Sequence, residues 1–102
     1  MQSVDNVIKA LITDFNKAFD DFQGLYLFGI FLDEQDHAGE DIELVAIFGG
    51  TSKEKREQIW QIIGKIETEL DVCIDLYPYT EEEFKNDELY DEVMEEGIYY
   101  RN

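Results

Sequence analysis

Two short and almost unbroken apolar runs near the middle of the sequence most restrict the fold of this chain. They cover residues 25–32 and 42–48. Each run is too short for a buried helix, and the first is rich in aromatic side chains, which is typical of a strand inside a sheet. The polar residues 33–40 predict a loop between the runs, and Gly49-Gly50 ends the second run. The sequence therefore predicts two buried strands.

Two amphipathic helices are predicted around these strands. The first carries an apolar stripe at helical spacing over about five turns and is expected to end at Gly24, which suits a left-handed C-cap. That stripe consists of Val4, Ile8, Leu11, Phe15, Phe19 and Phe22. The second helix is predicted over residues 52–70, because Thr51 and Glu54 match a capping box and isoleucines then recur at helical spacing. Trp60 flanks this second stripe and is interpreted as an anchor between helix and sheet.

A third strand is predicted over residues 71–77, which alternate apolar and polar and are followed by Pro78. A strand, a helix and a strand in this order predict a right-handed crossover between parallel neighbours. Thr80 and Glu83 then match a second capping box, which begins a short helix. A further helix is expected to end at Gly97, before a last edge strand over residues 98–100.

The predicted fold class is α/β, in the broad sense that includes α+β. Residues 1–102 are expected to form one domain, because a chain of this length supplies a single core. Its sheet is expected to be small and mixed, with three to four strands flanked by helices. A domain this small gains stability when a partner covers an apolar face, so a homodimer or a complex is compatible with the sequence.

The charge of the chain limits its ligands. It carries 25 Asp and Glu against 8 Lys and Arg, which gives a formal net charge of −17 at pH 7. Affinity for nucleic acids and for anionic membranes depends on basic side chains, so neither is expected as a partner. No apolar stretch approaches the ~18 residues of a spanning helix. The charge favours divalent cations and a basic protein partner.

The cysteine content indicates a reducing compartment. Cys73 is the single cysteine, so an internal disulfide is excluded. The first residues lack a basic segment followed by an apolar stretch, so the cytoplasm is the expected location. Cys73 itself is interpreted as a small buried residue of the third strand.

Three acidic residues on the predicted strands are the candidates for chemistry. Asp41 and Glu43 share one strand face, with Ile42 turned toward the core. Asp75 joins them if the second and third strands are neighbours. Three close carboxylates repel unless a divalent cation offsets their charge, so the cluster predicts a Mg²⁺ site. Two alternatives stay open, because Asp-x-Glu at a strand start is common by chance and because Asp75 can act as a cap or pair with Lys65.

The spacing of these residues resembles the minimal nucleotidyltransferase domains of the DNA polymerase β-like superfamily. That family has a Gly-Ser pair after a buried strand, ten intervening residues, and Asp-x-Asp at the start of the next strand. In this chain Gly29-Ile30 take the place of Gly-Ser, residues 31–40 are the ten, and Asp41-Ile-Glu43 takes the place of Asp-x-Asp. Asp75 resembles the family's third acidic residue on a later strand. The C-terminal letters EEGIYY are similar to the family's usual ending.

The resemblance implies a nucleotidyltransferase-like fold and Mg²⁺-dependent transfer of a nucleoside monophosphate from an NTP to a hydroxyl of a protein or small molecule. It makes Asp41, Glu43 and Asp75 both catalytic residues and metal ligands, and it places Gly29 and Ile30 at the substrate-binding position. Two family letters are changed. Ile30 lacks the hydroxyl that holds phosphates, and the extra methylene of Glu43 moves its oxygens by about an ångström, a displacement that can cost ~100-fold in rate.

The alternative is a binding module that has lost catalysis. The resemblance then implies an antitoxin-like role beside a helical HEPN-type protein, in the style of toxin–antitoxin pairs. The strong negative charge suits an acidic cover over a basic RNase surface.

Overall fold

A computed structural model describes residues 4–30 and 41–102, without the side chains of Ile30 and Asp41. The predicted loop over residues 33–40 and the last two residues of the predicted first strand lie outside this description. The described elements, in chain order, are α1 (Val4–Ala18), β1 (Phe22–Ile30), β2 (Asp41–Phe48), α2 (Lys53–Leu70), β3 (Cys73–Thr80), α3 (Glu81–Lys85), α4 (Tyr90–Glu96) and β4 (Ile98–Arg101).

The strands form one mixed sheet in the order β3-β2-β1-β4. β2 and β3 are parallel and are joined through α2, whereas β1 is antiparallel to both β2 and β4. A parallel pair needs such a crossover connection, because a tight turn can join only antiparallel strands. The predicted fold class, a small mixed sheet flanked by helices, is confirmed. The predicted parallel neighbours and the last edge strand are also present.

Helices cover both faces of the sheet. Alternate side chains of the strands point to opposite faces, so two apolar clusters form. The larger cluster joins α1 and α2 to strand residues such as Leu25, Leu44 and Leu76. The smaller cluster joins Phe84 of α3 and Val93 of α4 to the other face. We call this second side, which carries Tyr26, Phe28, Val45, Ile47, Tyr77 and Tyr79, the α3/α4 face.

Four phenylalanines form the centre of the larger cluster. Phe48 of β2 is fully buried, and its ring centroid lies 5.6 Å from that of Phe15, 5.4 Å from that of Phe19 and 5.5 Å from that of Phe22. The pairs with Phe15 and Phe19 are edge-to-face, an arrangement that favours aromatic contact beyond the burial of area alone. This group fastens α1 and the start of β1 to the centre of the sheet.

The first helix is shorter than predicted. It ends at Ala18, and Phe22 already belongs to β1. Gly24 is a strand residue that pairs with Arg101 of β4, so the prediction of a C-cap there is wrong. A Cβ atom at position 24 would lie 2.6 Å from the Tyr99 hydroxyl oxygen and 2.7 Å from a β4 carbonyl oxygen. The glycine is therefore needed for the close approach of β4.

Two further predictions about local structure are wrong. Pro78 does not end the third strand, because β3 continues to Thr80 and position 78 pairs with Ala46. β3 lies at the edge of the sheet, where a proline is tolerated. Trp60 does not anchor α2 to the sheet, because 49% of its surface is exposed. Cys73 begins β3 and is only half-buried.

The two predicted capping boxes have different outcomes. The N-cap of α2 is Ser52, whose hydroxyl accepts a hydrogen bond from the backbone N–H of Lys55, so the prediction at Thr51 is displaced by one residue. The second box is present as predicted, with the Thr80 and Glu83 side chains each accepting from the other's backbone N–H. It fixes the start of α3 directly after β3.

A half-buried lysine ties the start of α2 to the turn between α1 and β1. The Nζ atom of Lys55 donates to Asp21 Oδ2 at 2.5 Å and to the Gly50 carbonyl oxygen at 2.6 Å. It also lies 5.6 Å from the ring centroid of Phe19 and 5.2 Å from that of Phe48. Burial alone would raise the pKa of Asp21, but the hydrogen bonds from Lys55 and Gly50 outweigh it and hold this pKa below its ordinary value of 3.8.

The replacement Asp21→Asn is expected to reduce the pH dependence of stability in acid. The pKa of the Asp21 carboxyl is lower in the folded state than its ordinary value of 3.8, which we take for the unfolded chain. The ionised carboxylate therefore stabilises the fold at pH values above 3.8. This stabilisation is lost as the pH falls from 3.8 through the lower pKa of the folded state. Urea unfolding at a series of pH values should show the variant less stable than the wild type at neutral pH, with the difference closing in acid. Asp20→Asn, on the exposed neighbour, is the control. A constant difference at every pH would contradict this account.

None of the helices within residues 4–30 and 41–102 combines the length and the apolar character that crossing a membrane requires.

Candidate functional site

Glu43 and Asp75 face each other across the parallel strands β2 and β3. They are register partners, and their strand positions place both side chains on the α3/α4 face, half-exposed. Position 41 begins β2, two residues earlier, where its backbone pairs with Cys73. The side chain of Asp41 lies outside the described residues. The structure thus brings two of the three predicted carboxylates together, and their role as metal ligands stays a prediction.

Gly29 lies on the other side of Glu43, as its register partner on β1. A Cβ atom at position 29 would lie 2.5 Å from Glu43 Oε1 and 3.1 Å from Glu43 Cδ. The carboxylate of Glu43 therefore lies directly over the backbone of Gly29. Position 30 pairs with Ile42, and the side chain of Ile30 lies outside the description. The three positions 29, 43 and 75 follow one another across the neighbouring strands β1, β2 and β3.

Tyr77 is a member of this site that the sequence prediction missed. Its hydroxyl donates a hydrogen bond to Asp75 Oδ2 at 3.3 Å, and its ring centroid lies 6.3 Å from that of Phe28. Burial raises the pKa of Tyr77, and the negative charges of Asp75 and Glu43 raise it further. The phenol therefore stays protonated and keeps donating to Asp75 at neutral pH. The sequence pattern Asp75-x-Tyr77 could have indicated this contact, because strand residues two apart lie on the same face of the sheet.

An open cavity of about 170 Å³ adjoins the site at Gly29. Its lining consists of Leu27, Phe28, Gly29, Glu96 and Ile98. Two of these residues come from the end of α4 and the start of β4, so this C-terminal part of the chain lies beside the glycine. A group that approaches Gly29 from this side meets mainly apolar side chains and one carboxylate.

The residues present fit a hard divalent cation in part. Carboxylate oxygens are the protein ligands that Mg²⁺ takes, and two of them come from the adjacent residues Glu43 and Asp75. Within the described part of the chain, no group of three or more His, Cys, Asp or Glu side chains is arranged to hold a metal ion. Asp41 would have to supply the third carboxylate. Asp75 forms no ion pair with Lys65, both of which are described, so its oxygens are not neutralised in that way.

Comparison with known proteins identifies similar folds. No family model matches this sequence, and no curated protein matches it. Among solved structures, the toxin–antitoxin MntA-HepT aligns with a TM-score of 0.60 and 18% identity over 93% of this chain and 69% of that chain. A toxin–antitoxin structure with AMP-PNP aligns with a TM-score of 0.62 and 19% identity over 89% of this chain and 69% of that chain.

A third similar structure is the tri-AMPylated HEPN toxin of Shewanella oneidensis in complex with an MNT antitoxin. It aligns with a TM-score of 0.60 and 18% identity over 93% of this chain and 69% of that chain. At identities below a quarter, the likeness shows the fold and leaves the activity to be tested. The chain therefore has the nucleotidyltransferase-like fold of the MntA antitoxins, as the resemblance of its motifs implied.

Proposed function

We propose that this chain is an antitoxin-like nucleotidyltransferase that binds a HEPN-type partner. It transfers a nucleoside monophosphate from an NTP to a hydroxyl of that partner: the hydroxyl oxygen bonds to the α-phosphorus, the bond to the β-phosphate breaks, and pyrophosphate leaves. The observation that carries the proposal is the register pair of Glu43 on β2 and Asp75 on β3. Asp41 lies two residues before Glu43 on the same strand. The similar structures support both halves of the proposal, which are nucleotide transfer (the nucleotide half) and binding of a HEPN-type protein (the partner half). One of them contains AMP-PNP and another an AMPylated HEPN toxin.

Each side chain of the site has a role in this proposal. Asp41, Glu43 and Asp75 would hold Mg²⁺, which when bound offsets the charge of the phosphates and of the transition state. Asp75 is the third ligand or the base that accepts the proton of the acceptor hydroxyl. Tyr77 orients Asp75 through its hydrogen bond. Gly29 leaves the backbone open to the approach of a phosphate once the Glu43 carboxylate has moved away from it.

Calorimetric titration with ATP in the presence of Mg²⁺ tests the nucleotide half. We expect micromolar binding by the wild type and its loss in Asp41→Asn and Asp75→Asn, because each variant removes one of the three proposed metal ligands. Asp71→Asn is the matched control, since residue 71 is exposed and has a positive φ of 57°, which asparagine tolerates. An absence of binding by the wild type at millimolar nucleotide would remove the enzymatic proposal.

Co-expression with the product of the neighbouring open reading frame tests the partner half. The expected result is a complex of the two chains that co-purifies. After incubation with ATP and Mg²⁺, intact-mass spectrometry should show the mass of one or more AMP groups added to the partner. Failure of that product to co-purify would count heavily against the pairing, whatever the calorimetry shows.

A second candidate function is a binding module without turnover. It is favoured by the contact in which the Glu43 carboxylate covers Gly29, where a phosphate would have to approach, and by the missing hydroxyl at Ile30. A buried or half-buried anion at that position repels phosphate. A stable complex with the partner, combined with no nucleotide binding and no added AMP, would select this candidate.

A further inference from the structure

Exposed large hydrophobic side chains of the described residues recur at α4 and the edge strand β4. Of the four in the described residues, three lie between positions 94 and 99: Met94 is 49% exposed, Ile98 54% and Tyr99 46%. The fourth, Trp60, lies on α2. We call Met94, Ile98 and Tyr99 the α4–β4 patch, which includes both faces of the β4 border of the sheet. Met94 and Tyr99 line one cavity on the α3/α4 face, whereas Ile98, the neighbour of Tyr99 along β4, points to the opposite face. Single exposed hydrophobic residues are ordinary, but a cluster with a polar rim is typical of an interaction site.

Acidic side chains surround this patch on the helix side. The exposed residues Asp91, Glu92, Glu95 and Glu96 all belong to α4. Two basic residues, Lys85 and Arg101, stand at its margins. The local balance is thus acidic, in agreement with the formal net charge of −17 for the whole chain. A partner that covers the patch therefore has to bring a surface rich in Lys and Arg.

The patch offers two depressions and a free strand edge. A cavity of about 130 Å³ is lined in part by Tyr26, Phe84, Met94 and Tyr99. The cavity of about 170 Å³ beside Gly29 is lined in part by Ile98. β4 is the edge strand of the sheet on this side, so its outer backbone groups are not used within the described sheet. Apolar anchors and backbone groups of a partner can both be accommodated.

The patch is also continuous with the proposed active site. Ile98 and Glu96 line the same cavity as Gly29, whose register partner is Glu43. A protein seated on the patch therefore lies next to the position at which an acceptor hydroxyl has to be presented.

We propose that the α4–β4 patch is the docking surface for a basic protein partner and holds that partner with its acceptor hydroxyl toward Glu43 and Asp75. The acceptor part of this inference rests on the proposed function. A second copy of this chain is not the occupant that the charges favour, because it would set one acidic rim against another and add a net charge of −17.

Binding of the co-expressed neighbouring gene product by paired variants tests the docking surface. The double variant Met94→Ser with Ile98→Thr removes apolar contact and leaves the charge unchanged; it should weaken binding by about tenfold or more. Trp60→Gln is the matched control, because Trp60 is as exposed as Met94 but lies on α2. Circular dichroism of each variant establishes that it is folded.

A second pair of variants tests the charge of the rim without touching an apolar residue. Glu95→Gln with Glu96→Gln should weaken binding and reduce its dependence on sodium chloride, whereas Glu57→Gln with Glu69→Gln on α2 should change the affinity and its salt dependence only slightly.

Equal binding by patch and control variants would overturn the docking surface and leave the proposed function standing. A homodimer that the patch variants dissociate would also overturn the proposal, in favour of a second copy. If the wild type does not bind the gene product, the docking proposal fails with the partner half of the function, while nucleotide binding reports separately on the site.

Discussion

Shortening Glu43 to aspartate is expected to raise the rate of nucleotidyl transfer by ~100-fold, because a misplacement of about an ångström in a catalytic group carries a penalty of that size. In the wild type, Glu43 Oε1 lies only 2.5 Å from the place of a Cβ atom on Gly29. Removal of one methylene draws the carboxylate back toward β2 and uncovers the Gly29 backbone. The measurements are the rate of AMP addition to the partner and the dissociation constant of ATP in the presence of Mg²⁺.

The reciprocal replacement Asp75→Glu is the control for Glu43→Asp. Asp75→Glu lengthens the register partner of Glu43 by one methylene, so it should lower the rate of transfer or abolish it. If any change of carboxylate length had the same effect, the rates of both variants would change in the same direction. Tight binding of the partner by both variants would show that the fold is intact. A rate for Glu43→Asp equal to or below that of the wild type would contradict the idea that the length of this side chain limits the reaction.

The replacement Phe48→Ala is expected to lower the free energy of unfolding by about 3–5 kcal/mol, the usual cost of a phenylalanine removed from a packed core. Phe48 is fully buried, and its ring meets those of Phe15, Phe19 and Phe22 at centroid distances of 5.4–5.6 Å. The cavity would lie where α1 and β1 join the sheet and cannot be filled without moving both. Urea unfolding followed by tryptophan fluorescence and by circular dichroism measures the change.

Trp60→Ala is the comparison for Phe48→Ala, followed by circular dichroism alone because it removes the single tryptophan. Since 49% of the Trp60 surface is exposed, its truncation should cost about 1 kcal/mol or less. Similar losses in the two variants would mean that the phenylalanine cluster does not carry the stability assigned to it.

The elements of the fold were largely predictable because each has a distinct hydrophobic period. The main error, at the end of the first helix, has a physical cause. Phe19 and Phe22 continue the spacing of α1 because the turn and β1 press them into the same core as Phe15. Periodicity reports which side chains are buried together, and it does not report where the backbone changes direction. Trp60 was misplaced for the related reason that an aromatic residue beside an apolar stripe need not lie on the buried side.

The candidate site was less predictable than the fold. Alternation along a strand places Glu43 and Asp75 on definite faces, but their meeting depends on the register between β2 and β3. The contact of Glu43 with Gly29 depends on an irregularity of pairing between Leu27 and Gly29 in β1. Such a shift arises from how the whole sheet packs, and no spacing in the sequence encodes it. Tyr77 was not predicted although it shares a strand face with Asp75, because spacing alone does not show that its hydroxyl donates to that carboxylate.

The proline at position 78 makes the two borders of the sheet unequal. Pro78 lies in β3, which forms one edge of the sheet, whereas β4 forms the other edge. A proline has no backbone N–H that could donate to an additional strand. An additional strand from any other molecule would therefore meet a missing donor at β3. Addition of a strand, whether in a specific assembly or in aggregation, is consequently less favourable at β3 than at β4.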